Sequence, residues 1–218
     1  MPQVFPEITN LLARASIVGL VFGLPALALV SWGVYRSPWV TRAEMPLEQP
    51  VPFSHKHHVS DDGIDCRFCH TSVETSSFAG IPPTQTCMTC HSIVWNRAAV
   101  LEPVRTSYAG GAPLRWVRVH DLPEFVFFDH GIHVAKGVGC STCHGRIDGM
   151  PLTRQVHSLQ MRWCLDCHED PAKNLRPQSA IFAMDWTPPP DQATRGAALV
   201  RDYGIDRSRM LDCATCHR

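Results

Sequence analysis

The chain has no surplus of charge of either sign: 20 Lys and Arg stand against 20 Asp and Glu in 218 residues, and nothing in that balance points to nucleic acid. It has no unpaired cysteine, which leaves no lone thiol to serve as a nucleophile or redox sensor. From Ala15 to Tyr35 it has no charge at all. It is also short of ordinary core. The composition is 44% apolar, but much of that lies in this one N-terminal run, and 18 prolines and 14 glycines break up the rest.

The cysteines are what the chain has instead. All ten fall into five pairs of one spacing, each followed at once by histidine: CRFCH from Cys66 to His70, CMTCH from Cys87 to His91, CSTCH from Cys140 to His144, CLDCH from Cys164 to His168 and CATCH from Cys213 to His217. C-x-x-C-H is the attachment sequence of c-type haem. The thiols of Cys66 and Cys69, Cys87 and Cys90, Cys140 and Cys143, Cys164 and Cys167, and Cys213 and Cys216 would each take the two vinyl groups of one porphyrin. The following histidine would bind iron on one face. Zinc sites would use such knuckles in twos, and five is odd. Redox dithiols do not require a neighbouring histidine, and structural disulfides do not keep one spacing. Five covalently bound haem c groups are therefore expected.

Outside the apolar run, roughly 180 residues would serve five haems, or about 36 each, too few for a conventional core. The porphyrins must supply most of the buried apolar surface. The expected fold class is a multihaem cytochrome c, mostly irregular with short α-helices and wrapped around five haems, plus one N-terminal transmembrane helix.

The stretch LLARASIVGLVFGLPALALVSWGVY (11–35) is long enough to span a bilayer, since about 20 helical residues cover the hydrocarbon core. Trp32, Tyr35 and Trp39 suit an interfacial belt, and Pro25 should kink the helix. A cleaved signal peptide is the rival, supported by Ala26-Leu27-Ala28; a retained anchor is the expectation. Arg14 on one side and Arg36 and Arg42 on the other leave the positive-inside rule almost silent. Because c-type haem is attached across the membrane, the haem domain is expected on the periplasmic, extracytoplasmic side of the cytoplasmic (inner) membrane.

An internal repeat follows. FSHKHHVSDDGIDCRFCH from Phe53 is matched by FFDHGIHVAKGVGCSTCH from Phe127; each holds Phe-x-His-x-x-His and then a motif, with a further motif beyond. The expected organisation is a cytoplasmic tail (1–10), an anchor (11–35), a linker (36–52), two two-haem modules (53–115 and 116–185) and a one-haem segment (186–218).

Five haems have ten axial positions, and the motifs fill five with His70, His91, His144, His168 and His217. Histidines at i and i+3 share a helix face and could serve two adjacent irons, which nominates His55 with His58 and His130 with His133. His55 and His130 should serve the next motif along the chain, and His58 and His133 neighbouring ones. His120 is the fifth candidate. His57 points off the shared face, and His157 has little chain in which to reach round its own haem. Met161, beside Cys164, is the thioether rival that would make one haem His/Met, although methionine more often fills core.

The run from VPFSHKHH through DCRFCH and CMTCH, then VHDLPEFVFFDHGIHV, CSTCHG and QMRWCLDCH, resembles the pentahaem cytochrome subunit of alternative complex III. The resemblance covers most of the chain, anchor included. It implies quinol oxidation in a membrane complex, with electrons passed to a soluble periplasmic carrier or terminal oxidase. The partners it implies are quinol-binding multi-span subunits, an iron–sulfur subunit and a monohaem cytochrome c subunit.

The expected function is thus electron relay rather than catalysis, since six-coordinate iron leaves no site for substrate and no residue here is an evident quinol base. A multihaem oxyanion reductase would be expected to show a motif ending in something other than histidine, and none does. A free-standing multihaem quinol dehydrogenase is the closer alternative.

Overall fold

The computed structural model describes residues 5–217. The first four residues of the expected cytoplasmic tail, and Arg218 of the last segment, lie outside the described residues. The chain divides into two compact units, with the break after Arg42.

The first unit is dominated by one continuous helix, Ile8–Arg36, long and apolar enough by composition to cross a membrane, with none of its apolar window buried. At about 1.5 Å per residue its 29 residues exceed the roughly 30 Å hydrocarbon core. Pro25 can neither donate a backbone hydrogen bond nor tolerate the carbonyl four residues back. The helix accommodates it by winding wide over Gly19–Gly23, where Leu24 N–H reaches the Gly19 carbonyl, and closing to ordinary pitch over Leu24–Arg36.

The second unit is short helices joined by irregular chain. Among the described residues there are no strands, only isolated bridges between Pro46 and Arg154, Val126 and His217, and Val138 and Leu175. The helices that matter are Cys66–Cys69, Thr84–His91, His130–Ala135, Cys140–His144, Met161–Glu169 and Cys213–Cys216. Each C-x-x-C-H motif lies in or at the end of one of them. A helical turn puts cysteines at i and i+3 on one face and the histidine directly after, which is what one porphyrin edge and one iron need. Asp65 caps its motif, accepting the Arg67 N–H at 2.8 Å.

The apolar core is small. Val51, Leu101 and Val104 form one cluster and Val73, Val134 and Ile181 a second, and among the described residues only Leu175 and Ile181 are large side chains sealed off from solvent. The second cluster joins the two repeat modules, because Val73 follows the first motif and Val134 follows the second Phe-x-His-x-x-His. Residues 44–49, within the stretch expected as linker, lie against the rest of this unit. Glu44 pairs with Arg154 at 2.7 Å, and Gln49 bonds both backbone groups of Val117 at 2.9 Å.

Candidate haem-binding site

The two Phe-x-His-x-x-His units fold alike. Phe53 stacks on His58 with ring centres 4.4 Å apart and meets His55 edge-on at 5.0 Å; Phe128 stacks on His133 at 4.5 Å and meets His130 edge-on at 4.8 Å. Each phenylalanine is a shelf that fixes both imidazoles. The residue after it holds the turn. Ser54 Oγ accepts the His57 N–H at 3.1 Å, and Asp129 Oδ1 accepts the Ile132 N–H at 3.0 Å.

One regularity runs through the candidate ligands. Nδ1 of His58 faces the Ser54 carbonyl at 2.9 Å, His130 that of Ser77 at 2.9 Å and His133 that of Asp129 at 2.6 Å. His55 Nδ1 meets the Thr153 hydroxyl at 2.9 Å. Among the motif histidines, Nδ1 faces the carbonyl of Gly80 for His70 (2.7 Å), Val94 for His91 (3.0 Å), Met210 for His168 (2.9 Å) and Phe125 for His217 (3.2 Å). A carbonyl cannot donate, so each ring that faces one carries its proton on Nδ1 and leaves the Nε2 lone pair free; the Thr153 hydroxyl can serve His55 in either role. That is the outer-shell arrangement of metal-bound histidine.

Three of these rings stand opposite motif histidines at a common spacing. His58 lies 6.1 Å from His91, His130 lies 6.3 Å from His144 and His133 lies 6.2 Å from His168, centre to centre. A metal sits about 2 Å from each imidazole nitrogen, itself about 1.1 Å from its ring centre, so two rings sharing one iron have centres about 6.2 Å apart. The donor set and its spacing fit haem iron. His55 has no ring partner at that spacing among the described residues; of the neighbouring histidines, His70 has the largest effect on its pKa, after burial.

The other candidates lie elsewhere. His120 stands edge-on to His144 at 4.2 Å, closer than a shared iron permits. His157 stacks on Trp163 at 4.9 Å. Met161 begins the Met161–Glu169 helix and is 60% exposed. His57 stacks on Trp95 and faces Asp61 and Asp62 at the surface.

Burial shapes the electrostatics. It is the main reason that His55 and His120 are held neutral down to about pH 4 and His144 to about 3, with the charges of neighbouring histidines adding to it. Neutral imidazole is the form that binds iron. Burial likewise pushes the Cys140 thiol up to about 11 and Cys143 up to about 12. The thiols also record which motifs are neighbours. Cys87 acts on Cys69, Cys66 on Cys140, Cys164 and Cys167 on Cys143, and Cys216 on Cys164. Neighbouring motifs are therefore the second and first, the first and third, the third and fourth, and the fourth and fifth.

Sequence reasoning missed Arg176. It is 2% exposed and donates to Ser141 Oγ at 3.1 Å and Thr142 Oγ1 at 3.0 Å, inside the third motif, with its guanidinium 4.3 Å from the Trp186 ring centre. It has no carboxylate partner among the described residues, and burial lowers its pKa. Gly139 makes room for it: a Cβ there would fall 2.2 Å from the guanidinium carbon. A glycine before the motif was the only available signal.

Residues 126–218 match the family "Cytochrome c7 and related cytochrome c", and residues 35–105 match the "Class III cytochrome C family". The chain is also 40% identical over 98 residues to the menaquinone reductase multiheme cytochrome c subunit of Nitratidesulfovibrio vulgaris. That match spans 44% of this chain and 46% of the relative, so the chain covers less than half of that protein. The two family matches, the repeated C-x-x-C-H turns and the facing histidine pairs agree on one conclusion: the chain is a multihaem c-type cytochrome, an electron-transport protein, with one stretch similar to the class III family and another similar to the c7 family.

Proposed function

We propose that this chain relays electrons between a quinone-handling membrane complex and a redox partner outside the membrane, through five covalently attached haems. Three imidazole pairs at the spacing of a shared iron carry the reading: His58 with His91, His130 with His144, and His133 with His168. His55 would serve His70, the histidine with the largest charge effect on it. The distal position opposite His217 falls to the 157–161 segment, which holds an imidazole and a thioether and adjoins the Cys164 motif, itself next to Cys216.

Bound haem would supply a one-electron ferric–ferrous couple. The chain holds Nε2 free by fixing the Nδ1 proton on a carbonyl, clamps two imidazoles against each phenylalanine shelf, and sets the second motif beside the first, the first beside the third, the third beside the fourth and the fourth beside the fifth. The Ile8–Arg36 helix would anchor the haem unit on the periplasmic face of the cytoplasmic membrane. Protease added to right-side-out spheroplasts should then degrade the haem-staining unit, and full protection would reverse the topology.

Multi-span quinone-binding subunits are the partners this reading requires, with an iron–sulfur subunit and a monohaem cytochrome c as further members. Alternative complex III would send electrons from quinol outward. The similarity to a menaquinone reductase subunit favours the opposite direction, into quinone. Reducing the purified complex separately with a quinol and with an external donor, and following the haem bands by stopped flow, separates the two. Reduction by neither would refute the relay. Met161→Leu decides the last ligand: loss of a sulfur-to-iron charge-transfer band assigns Met161, and an unchanged spectrum assigns His157.

A further inference from the structure

The side chain that the proposed ligation leaves without a role is His120. We infer that His120 is a positioning residue for His144 rather than an axial ligand, with its Nε2 accepting the Nδ1–H of the third motif's histidine. The inference rests on the reading that the motif histidines bind iron through Nε2.

His144 is the exception among the motif histidines. The other four have a backbone carbonyl at 2.7–3.2 Å from Nδ1. Nδ1 of His144 is fully buried and has no partner. Nε2 of His120 is also buried and without a partner. The two unpaired nitrogens belong to two rings in edge contact, 4.2 Å apart at 70°. An orphaned buried donor or acceptor is costly, so two complementary orphans on touching rings should pair.

The same facts argue against an iron shared by His120 and His144. A 4.2 Å separation is too short for an iron between the rings, and His130 already faces His144 at 6.3 Å.

The pairing has an electronic consequence. A neutral imidazole nitrogen is a better acceptor than an amide oxygen, so it draws the Nδ1 proton harder and makes the bound His144 more electron-rich. That stabilises ferric iron and lowers the third motif's potential relative to a carbonyl-bonded histidine.

The test uses the full-length, haem-loaded protein in detergent. His120→Phe keeps the ring volume and removes the acceptor; His120→Gln replaces it with an amide oxygen. Both variants should remain fully low-spin by electron paramagnetic resonance. One haem should shift upward in a spectroelectrochemical titration, with altered g values, more in His120→Phe than in His120→Gln. A high-spin ferric signal in either variant would make His120 an axial ligand, and unchanged potentials and g values would leave it with no bond to His144; either result overturns the inference. If His120→Phe does not assemble, His120→Gln decides by itself: an intact low-spin spectrum with one shifted potential supports the pairing, and a high-spin haem or no shift refutes it. A pyridine haemochrome count on the wild type separates this from the underlying reading, because fewer than five haems would defeat the relay as proposed while Cys140 and Cys143 still carried theirs.

Discussion

In the first repeat unit the turn after Phe53 is wide over Lys56–Asp61 and open to solvent; Lys56 pairs with Asp61 at 2.8 Å, and Cys90 of the neighbouring motif is exposed. In the second, His130–Ala135 is an ordinary α-helical turn that buries Gly131 and Val134, and Val134 packs with Val73 and Ile181. The phenylalanine shelves differ by only 0.1 Å in their stacking distance (4.4 against 4.5 Å), and both histidine pairs keep an iron-compatible spacing. One local device thus serves an exposed turn and a buried one. Ferric iron carries one more positive charge than ferrous, so the Arg176 charge beside the third motif would favour the reduced state there. The proposed His120 bond opposes it.

Three substitution pairs would break or sharpen this contrast. The largest effect is expected for His133→Ala against His58→Ala, at equivalent positions. Each should leave one five-coordinate, high-spin haem, but the buried copy should also lose thermal stability and yield of fully loaded protein, whereas the exposed copy should keep both. Equal losses by resonance and haem count would mean that burial does not distinguish the copies.

Next is Gly131→Ala against Lys56→Ala, at equivalent positions. A Cβ on Gly131 would sit 3.2 Å from the backbone of Thr75 and Ser76, in the joint between modules. Overpacking of that kind costs about 1–3 kcal/mol, read as a lowered unfolding midpoint. Lys56→Ala removes only an exposed ion pair and should leave the midpoint unchanged. The smallest difference is expected for the caps. Asp129→Ala and Ser54→Ala should each cost about 1 kcal/mol, with the Asp129 loss slightly larger because its cap is a charged carboxylate at the start of a helical turn, where Ser54 offers a neutral hydroxyl. Denaturant midpoints measured side by side would show it, and a larger loss at Ser54 would reverse the ranking.

The candidate site was legible wherever its chemistry is local. Haem attachment needs two thiols and an imidazole within five residues, and a helical turn aligns them whatever lies around it. The shared face of His55 with His58 and of His130 with His133 could be read the same way, although the first turn winds wider than an α-helix. The place of His120 could not be read from its spacing, because its contact with His144 crosses 24 residues of irregular chain. Arg176 gave no warning, since its partners are hydroxyls and carbonyls brought to it by the fold.

The sequence by itself determined the local chemistry: five C-x-x-C-H motifs, a phenylalanine ahead of each spaced histidine pair, and an apolar run long enough to span a bilayer. Tertiary structure decided which motif lies beside which, which imidazoles face each other about 6.2 Å apart, and where each Nδ1 proton is held. The physical reason is that those protons rest mostly on backbone carbonyls, which every residue carries. Their positions therefore leave no mark in the sequence until the chain has folded.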